Sequence, residues 1–293
     1  MKKIILLAAA GLVSLAACNR AKVMPGEGKS IQVKASIGIA SKVTTDGTIS
    51  SFEQGDKISF FAWTGSKAAV PAAKVVDGVS VAYNGGVWVP ASAMLWADMV
   101  TPHYFLGVYP EKTVTSFTAD PYTLDPANYE TSDLLIAVND KGLKATDNPV
   151  SLVFDHVMAK LFVNLTFRNQ WETAPTVTSV TVTAKSSATV DYLAAAPVTA
   201  SGSAAPVSLN KDENAKWSGL QVPQTGVNTI TIRIDNKDYV FTHSTDIPLE
   251  GGQFTRVNLI VGRNKIELAS DIAISGWKAG TTIDNGEAQT DEN

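Results

Sequence analysis

Few side chains in this 293-residue chain are suited to chemistry: one cysteine, Cys18, and three histidines, His103, His156 and His243. A zinc centre needs convergent His, Cys or carboxylate ligands, and these histidines show neither H-x-x-x-H nor H-x-E spacing. No metal and no cofactor is therefore expected. His156 follows Asp155, but neighbours on a strand point to opposite faces, which makes a poor acid–base pair. Flanked by Phe154 and Val157, His156 reads as a structural side chain at a strand edge. The sequence contains no G-x-S-x-G nucleophile elbow and no phosphate-cradling glycine loop. Asn84-Gly85-Gly86 and Gly251-Gly252 read as tight turns instead. Trp63, Trp88, Trp96, Trp171, Trp217 and Trp277 are candidates for stacking on sugars, yet most lie in alternating apolar runs, which favours core or interdomain packing. An enzyme is not expected.

Cys18 lies at the end of an export leader. Lys2 and Lys3 form a positive n-region, and Ile4 to Ala10 open an apolar stretch that runs to Ala17. That stretch is short of the roughly 20 residues that span a bilayer and fits a secretory signal with a small-residue end. Leu15-Ala16-Ala17-Cys18 resembles a lipobox, where a signal peptidase cuts before a lipid-modified cysteine. Residues 1–17 are thus expected to be a signal peptide, Cys18 the lipidation site and residues 18–29 a linker. Acyl chains contribute about 0.8 kcal/mol per buried CH₂, so several on one residue hold a protein firmly.

Loss of residues 1–17 leaves a net charge of −6. Nucleic-acid phosphates would repel such a chain, and no basic cluster offsets this. With its only cysteine lipidated, the chain has no disulfide and no cysteine metal site. Stability then rests on apolar burial and sheet hydrogen bonds.

The elements that supply these are strands. Ile31, Val33, Ala35, Ile37 and Ile39 alternate with polar or small residues. Val79 to Tyr83 leads through Asn84-Gly85-Gly86 into Val87 to Val89, a predicted hairpin. Ile230 to Ile234 leads through Asp235 to Asp238 into Tyr239 and Phe241, a second one. Thr176 to Thr183, Phe254 to Val261 and Lys265 to Ile274 are further strands. Leu134 to Val138 and Leu161 to Val163 are apolar on both parities, as suits strands covered on both faces. Many short strands with frequent turns predict β-sandwiches. A polar stretch from Arg168 to Pro175 is the candidate junction between an N-terminal unit of residues 30–168 and a C-terminal unit of residues 169–280. Residues 281–293 are expected to be a flexible polar tail.

Several local motifs resemble the fimbrillin family, the type V pilins and their relatives. Phe52-Glu53-Gln54-Gly55-Asp56-Lys57-Ile58 is similar to its F-x-x-G-D-x-I element, and Trp96 with Tyr104 to Pro110 to the next block. Asp133-Leu134-Leu135-Ile136-Ala137 resembles D-L-L-x-A, and Phe154-Asp155-His156 with Ala159-Lys160-Leu161 resembles F-x-H-x-x-A-K-L. Val222-Pro223-Gln224-Thr225, Gly251-Gly252-Gln253 and Ile272 to Gly280 complete the series. The resemblance implies an all-β fold of two tandem transthyretin-like β-sandwich domains after the lipoprotein signal peptide.

It also implies a mechanism. In fimbrillins a trypsin-like protease cuts after Arg or Lys just beyond the first strand. That strand leaves with the lipid anchor, and a strand from another fimbrial subunit takes its place. Here Ser41-Lys42-Val43-Thr44 stands where the family usually shows Thr-Arg-Ala, so cleavage is expected between Lys42 and Val43, with Lys replacing the commoner Arg. The removable strand would comprise Ile31, Val33, Ala35, Ile37 and Ile39. Ile266, Leu268, Ile272 and Ile274 share one parity and belong either to a donor strand or to the last strand of the C-terminal unit. The expected role is a structural pilus subunit of the fimbrium on the outer membrane and cell surface, with a part in adhesion. Its partners are other fimbrial subunits, the protease and, through the precursor's lipid, the outer membrane. The competing reading is an uncut surface lipoprotein, either a pilus anchor or a glycan-binding module.

Overall fold

A computed structural model describes residues 28–38, 51–269 and 272–276. Leu15, Ala16, Ala17, Cys18, Ile39, Lys42, Val43 and Trp277 lie outside them. The first half comprises β1 (Val33–Ile37), β2 (Lys57–Thr64), β3 (Val76–Asn84), β4 (Val87–Pro90), β5 (His103–Tyr109), β6 (Asp120–Thr123), a single helical turn α1 (Tyr129–Ser132), β7 (Leu135–Leu143) and β8 (Val150–His156). Next come β9 (Ala159–Phe167), β10 (Val177–Ala184), β11 (Ser187–Val190), β12 (Val198–Ser201), β13 (Ala205–Ser208) and β14 (Asn210–Glu213). The last six are β15 (Lys216–Gln221), β16 (Thr229–Ile234), β17 (Lys237–Thr242), β18 (Gln253–Val261), β19 (Ile266–Leu268) and β20 (Ala273–Gly276). The fold is all-β.

Four sheets result. A seven-stranded sheet runs β1-β8-β7-β5-β2-β3-β4, and a six-stranded one runs β14-β15-β9-β18-β19 with β20 also on β18. The others are β13-β10-β16-β17 and β12-β11-β6. The two expected hairpins form. Gly85 and Gly86, both at positive φ, make the two-residue turn between β3 and β4. The second turn is tighter than the Asp235–Asp238 stretch: Ile234 pairs with Lys237, and only Asp235 and Asn236 turn, both at positive φ.

The central strands are apolar on both parities because each face meets a different core. Phe60, Ala62, Phe105, Leu135 and Ala137 enter one cluster with Ile31, Val33 and Ile37. Phe61, Trp63, Leu106, Leu134 and Ile136 enter a larger cluster with Leu161, Val163, Ile230 and Val257. Stacked layers with apolar interiors make the architecture sandwich-like.

The sheets change partners earlier than the polar stretch at Arg168. β9 hydrogen-bonds to β15 on one side and β18 on the other, so the chain leaves the seven-stranded sheet at Val157–Met158. β6 likewise pairs with β11, across the halves of the sequence.

Candidate functional site

Ile31, Val33 and Ile37 are 3, 8 and 8% exposed, and Ala35 packs beside them partly covered. β1 lies at the end of the seven-stranded sheet, parallel to β8, with Val33 opposite Val150 and Ile37 opposite Phe154. Val150 N–H donates to Gln32 O at 2.7 Å, and Gly38 N–H donates to Phe154 O at 2.7 Å. Ahead of β1 the chain is gripped on its other side. Ile31 N–H donates to Met94 O at 2.8 Å, and Trp96 N–H donates to Lys29 O at 3.0 Å.

The parallel pairing matters, because the sheet's remaining strand pairs are antiparallel. A hairpin cannot join parallel neighbours, and here most of the N-terminal half separates β1 from β8 in sequence. No strand pairing among β2 to β8 therefore runs through β1.

Its seat is aromatic. Phe52 sets its ring edge-on to Trp88, Phe154 and Tyr109 with centroids 4.9, 5.4 and 5.5 Å away. Asp56 fixes the turn behind Phe52: its carboxylate accepts from Glu53 N–H at 2.7 Å and from the Tyr109 hydroxyl at 3.1 Å. The F-x-x-G-D-x-I motif is thus a turn that delivers one aromatic ring to the seat of β1.

The three histidines are not brought together as a set. His103 is fully buried against Trp96, ring centroids 4.9 Å apart. Its Nε2 accepts from Ala97 N–H at 3.1 Å, which requires a neutral ring whose Nδ1–H donates to Thr101 O at 2.9 Å. Burial pushes His103 below its ordinary value of 6.5, against the opposing pull of the Thr101 carbonyl and Asp98. A group that resists protonation only when folded costs stability once the unfolded chain takes up the proton. The His103 contribution is expected to be complete above pH 6.5 and to decline as the pH falls through that value. Thermal midpoints across this range check it, with the decline reduced in His103→Gln.

His156 pairs with the carboxylate of Asp133. Nδ1 lies 2.9 Å from Asp133 Oδ1, with both side chains buried. The D-L-L and F-x-H motifs are thereby tied together. Among the described residues no group of three or more His, Cys, Asp or Glu side chains is placed to hold a metal.

Trp63, Trp88, Trp96 and Trp217 are core residues. Trp171 is partly buried and donates its indole N–H to Val261 O at 3.0 Å. No described tryptophan forms an exposed sugar-stacking platform. Ile266 and Leu268 are buried in β19, and Ile274 lies in β20 on β18, so this stretch closes the six-stranded sheet. Gln224 of the V-P-Q-T motif clamps two segments: its Oε1 accepts from Lys185 N–H and its Nε2 donates to Lys185 O, both at 2.9 Å.

A structure of a protein named for cell adhesion, from Bacteroides uniformis, is similar with a TM-score of 0.64 at 16% identity, over 87% of this chain and 100% of that one. Another so named, from Bacteroides ovatus, gives 0.62 at 15% identity, over 88 and 97%. A fimbrial protein from Bacteroides vulgatus gives 0.52 at 12% identity, over 85 and 100%. These likenesses establish the fold. Among curated proteins no significantly similar sequence is found. A profile described as fimbrillin-like matches residues 41–277, most of the chain. The chain belongs to the fimbrillin-like family.

Proposed function

We propose that this protein is a structural pilus subunit, exported as a lipoprotein anchored through Cys18 and assembled on the cell surface by strand exchange, with a part in adhesion. A trypsin-like protease cuts between Lys42 and Val43. The segment from Cys18 through β1 leaves with its lipid, and a strand from another fimbrial subunit takes its place beside β8. The protein would carry this out as two tandem sandwiches, divided where the chain changes sheets at Val157–Met158.

The observation that carries this reading is β1 itself. It is a terminal strand, well buried, parallel to its neighbour and tied to the sheet's other strands by no hairpin. An ordinary edge strand is short, charged or blunted, because an open edge invites pairing with other chains. Here the side chains facing inward are Ile31, Val33 and Ile37, so the vacated seat selects a strand by its apolar side chains and binds it through its backbone.

Trypsin treatment of the purified precursor, followed by mass measurement and electron microscopy, tests the proposal. Filaments are expected only after loss of the segment through Lys42. Filaments from uncut protein, or a precursor that stays whole at Lys42, would contradict it.

A further inference from the structure

Apolar surface left open to solvent is concentrated in one stretch of the chain. Among the described residues seven large apolar side chains are exposed, and five of them fall between Val87 and Val100. Val87 and Val89 are on β4, whereas Leu95, Met99 and Val100, 41, 43 and 69% exposed, lie on the loop from β4 to β5. Exposed apolar residues are ordinarily scattered singly, and a concentration of them marks contact with something apolar. From Val87 to Pro102 the only charged side chain is Asp98.

The loop holds its tip outward. The Asp98 carboxylate accepts from Val100 N–H at 2.7 Å and from Thr101 N–H at 2.6 Å, and the Thr101 hydroxyl donates to it at 2.6 Å. Met99 and Val100 are thus the middle of a tight turn, a position where Gly, Pro, Asn, Asp and Ser dominate. Behind the turn, Ala97 N–H donates to His103, and Trp96 sets its ring edge-on to His103 and Phe105, centroids 4.9 and 5.6 Å away. A buried base carries an apolar tip.

The same loop receives the incoming chain. Ile31 N–H donates to Met94 O and Trp96 N–H to Lys29 O, so the segment that leads from Cys18 enters the fold beside Leu95. Lys29 stands 11 residues beyond Cys18, a reach of at most about 40 Å. A lipid on Cys18 keeps the loop within that distance of a bilayer.

We propose that this loop docks on the bilayer that holds the anchor, seating Leu95, Met99 and Val100 at the boundary between headgroups and acyl chains. The inference rests on the anchor at Cys18 proposed above. Lipid on one residue fixes a point, and a second membrane contact fixes the orientation of the fold and strengthens attachment. The loop's one charge is negative and its carboxylate is bonded within the turn, so a zwitterionic surface suits it better than an anionic one.

The test uses the full chain in two forms. The lipidated protein, in phosphatidylcholine vesicles, carries an environment-sensitive dye on Val100→Cys or, for comparison, on Val153→Cys on the exposed side of β8. Blue-shifted emission is expected at position 100 and water-like emission at position 153. The unlipidated Cys18→Ser chain is expected to float with the same vesicles at high lipid concentration. Met99→Ser combined with Val100→Ser is expected to lower that partitioning about tenfold with the thermal midpoint unchanged. Water-like emission at position 100, an equal shift at both positions, or flotation indifferent to the two serines would each overturn the proposal. So would self-association without lipid that the two serines abolish, which would give the surface to a second copy. Mass measurement reads acylation of Cys18 separately, so a missing anchor and a loop that does not dock are told apart.

Discussion

A chain that begins at Val43 is expected to lose much of the stability of its seven-stranded sheet. Ile31, Val33 and Ile37 each contribute roughly 1.5–3 kcal/mol on burial, together about 5–9 kcal/mol before any hydrogen bond is counted. A whole domain is stable by only about 5–15 kcal/mol, so the loss is comparable to the total. The exposed seat includes Val150, Leu152 and Phe154 from β8 and the rings around Phe52. Denaturant unfolding is expected to show the midpoint moving sharply down, with strong binding of an apolar dye. A synthetic peptide spanning residues 29–40 should reverse both effects, and the same peptide carrying Val33→Asp should not. An unchanged unfolding midpoint in the truncated chain would mean that β1 contributes little.

The second large effect is placed in the floor of the same seat. Phe154 is fully buried opposite Ile37, and Gly107 makes room for it: a Cβ at position 107 would stand 2.5 Å from the Phe154 ring. Phe154→Ala is expected to cost about 3–5 kcal/mol, because the cavity lies between β1, β5 and Phe52 and rigid strands cannot close it. Equilibrium unfolding measures this directly. The same variant should yield to trypsin at Lys42 faster, since β1 loses one of its main contacts. Val153→Ala, on the exposed side of β8, is the control and should stay within about 0.5 kcal/mol of the parent.

What the sequence disclosed follows from what a period of two encodes. Alternation in Ile230 to Ile234 marks a strand with one buried face, and β16 buries Ile230, Ile232 and Ile234. The same logic reads Ile31, Val33 and Ile37 as inward-facing, and they are. Alternation does not name a partner. Nothing in Ile31 to Ile37 indicates parallel pairing with β8, a contact that depends on the path of the whole N-terminal half. Polarity places a boundary at Arg168, whereas the chain changes sheets inside an apolar stretch at Val157–Met158, where composition has no break. Asp133 and His156 are far apart in sequence and meet because β7 and β8 are adjacent. Phe162 belongs to the run Leu161 to Val163, which reads as covered on both faces. The run does not name what covers its outer face: Arg256 from β18 packs on Phe162, and Tyr129 from α1 lies over the neighbouring Lys160.

In the proposed function the working form lacks its first strand. N-terminal sequencing of the protein recovered from the cell surface tests this most directly. A start at Val43 is expected, with Cys18 and Ile31 to Ile37 gone. An intact chain still lipidated at Cys18 would contradict it.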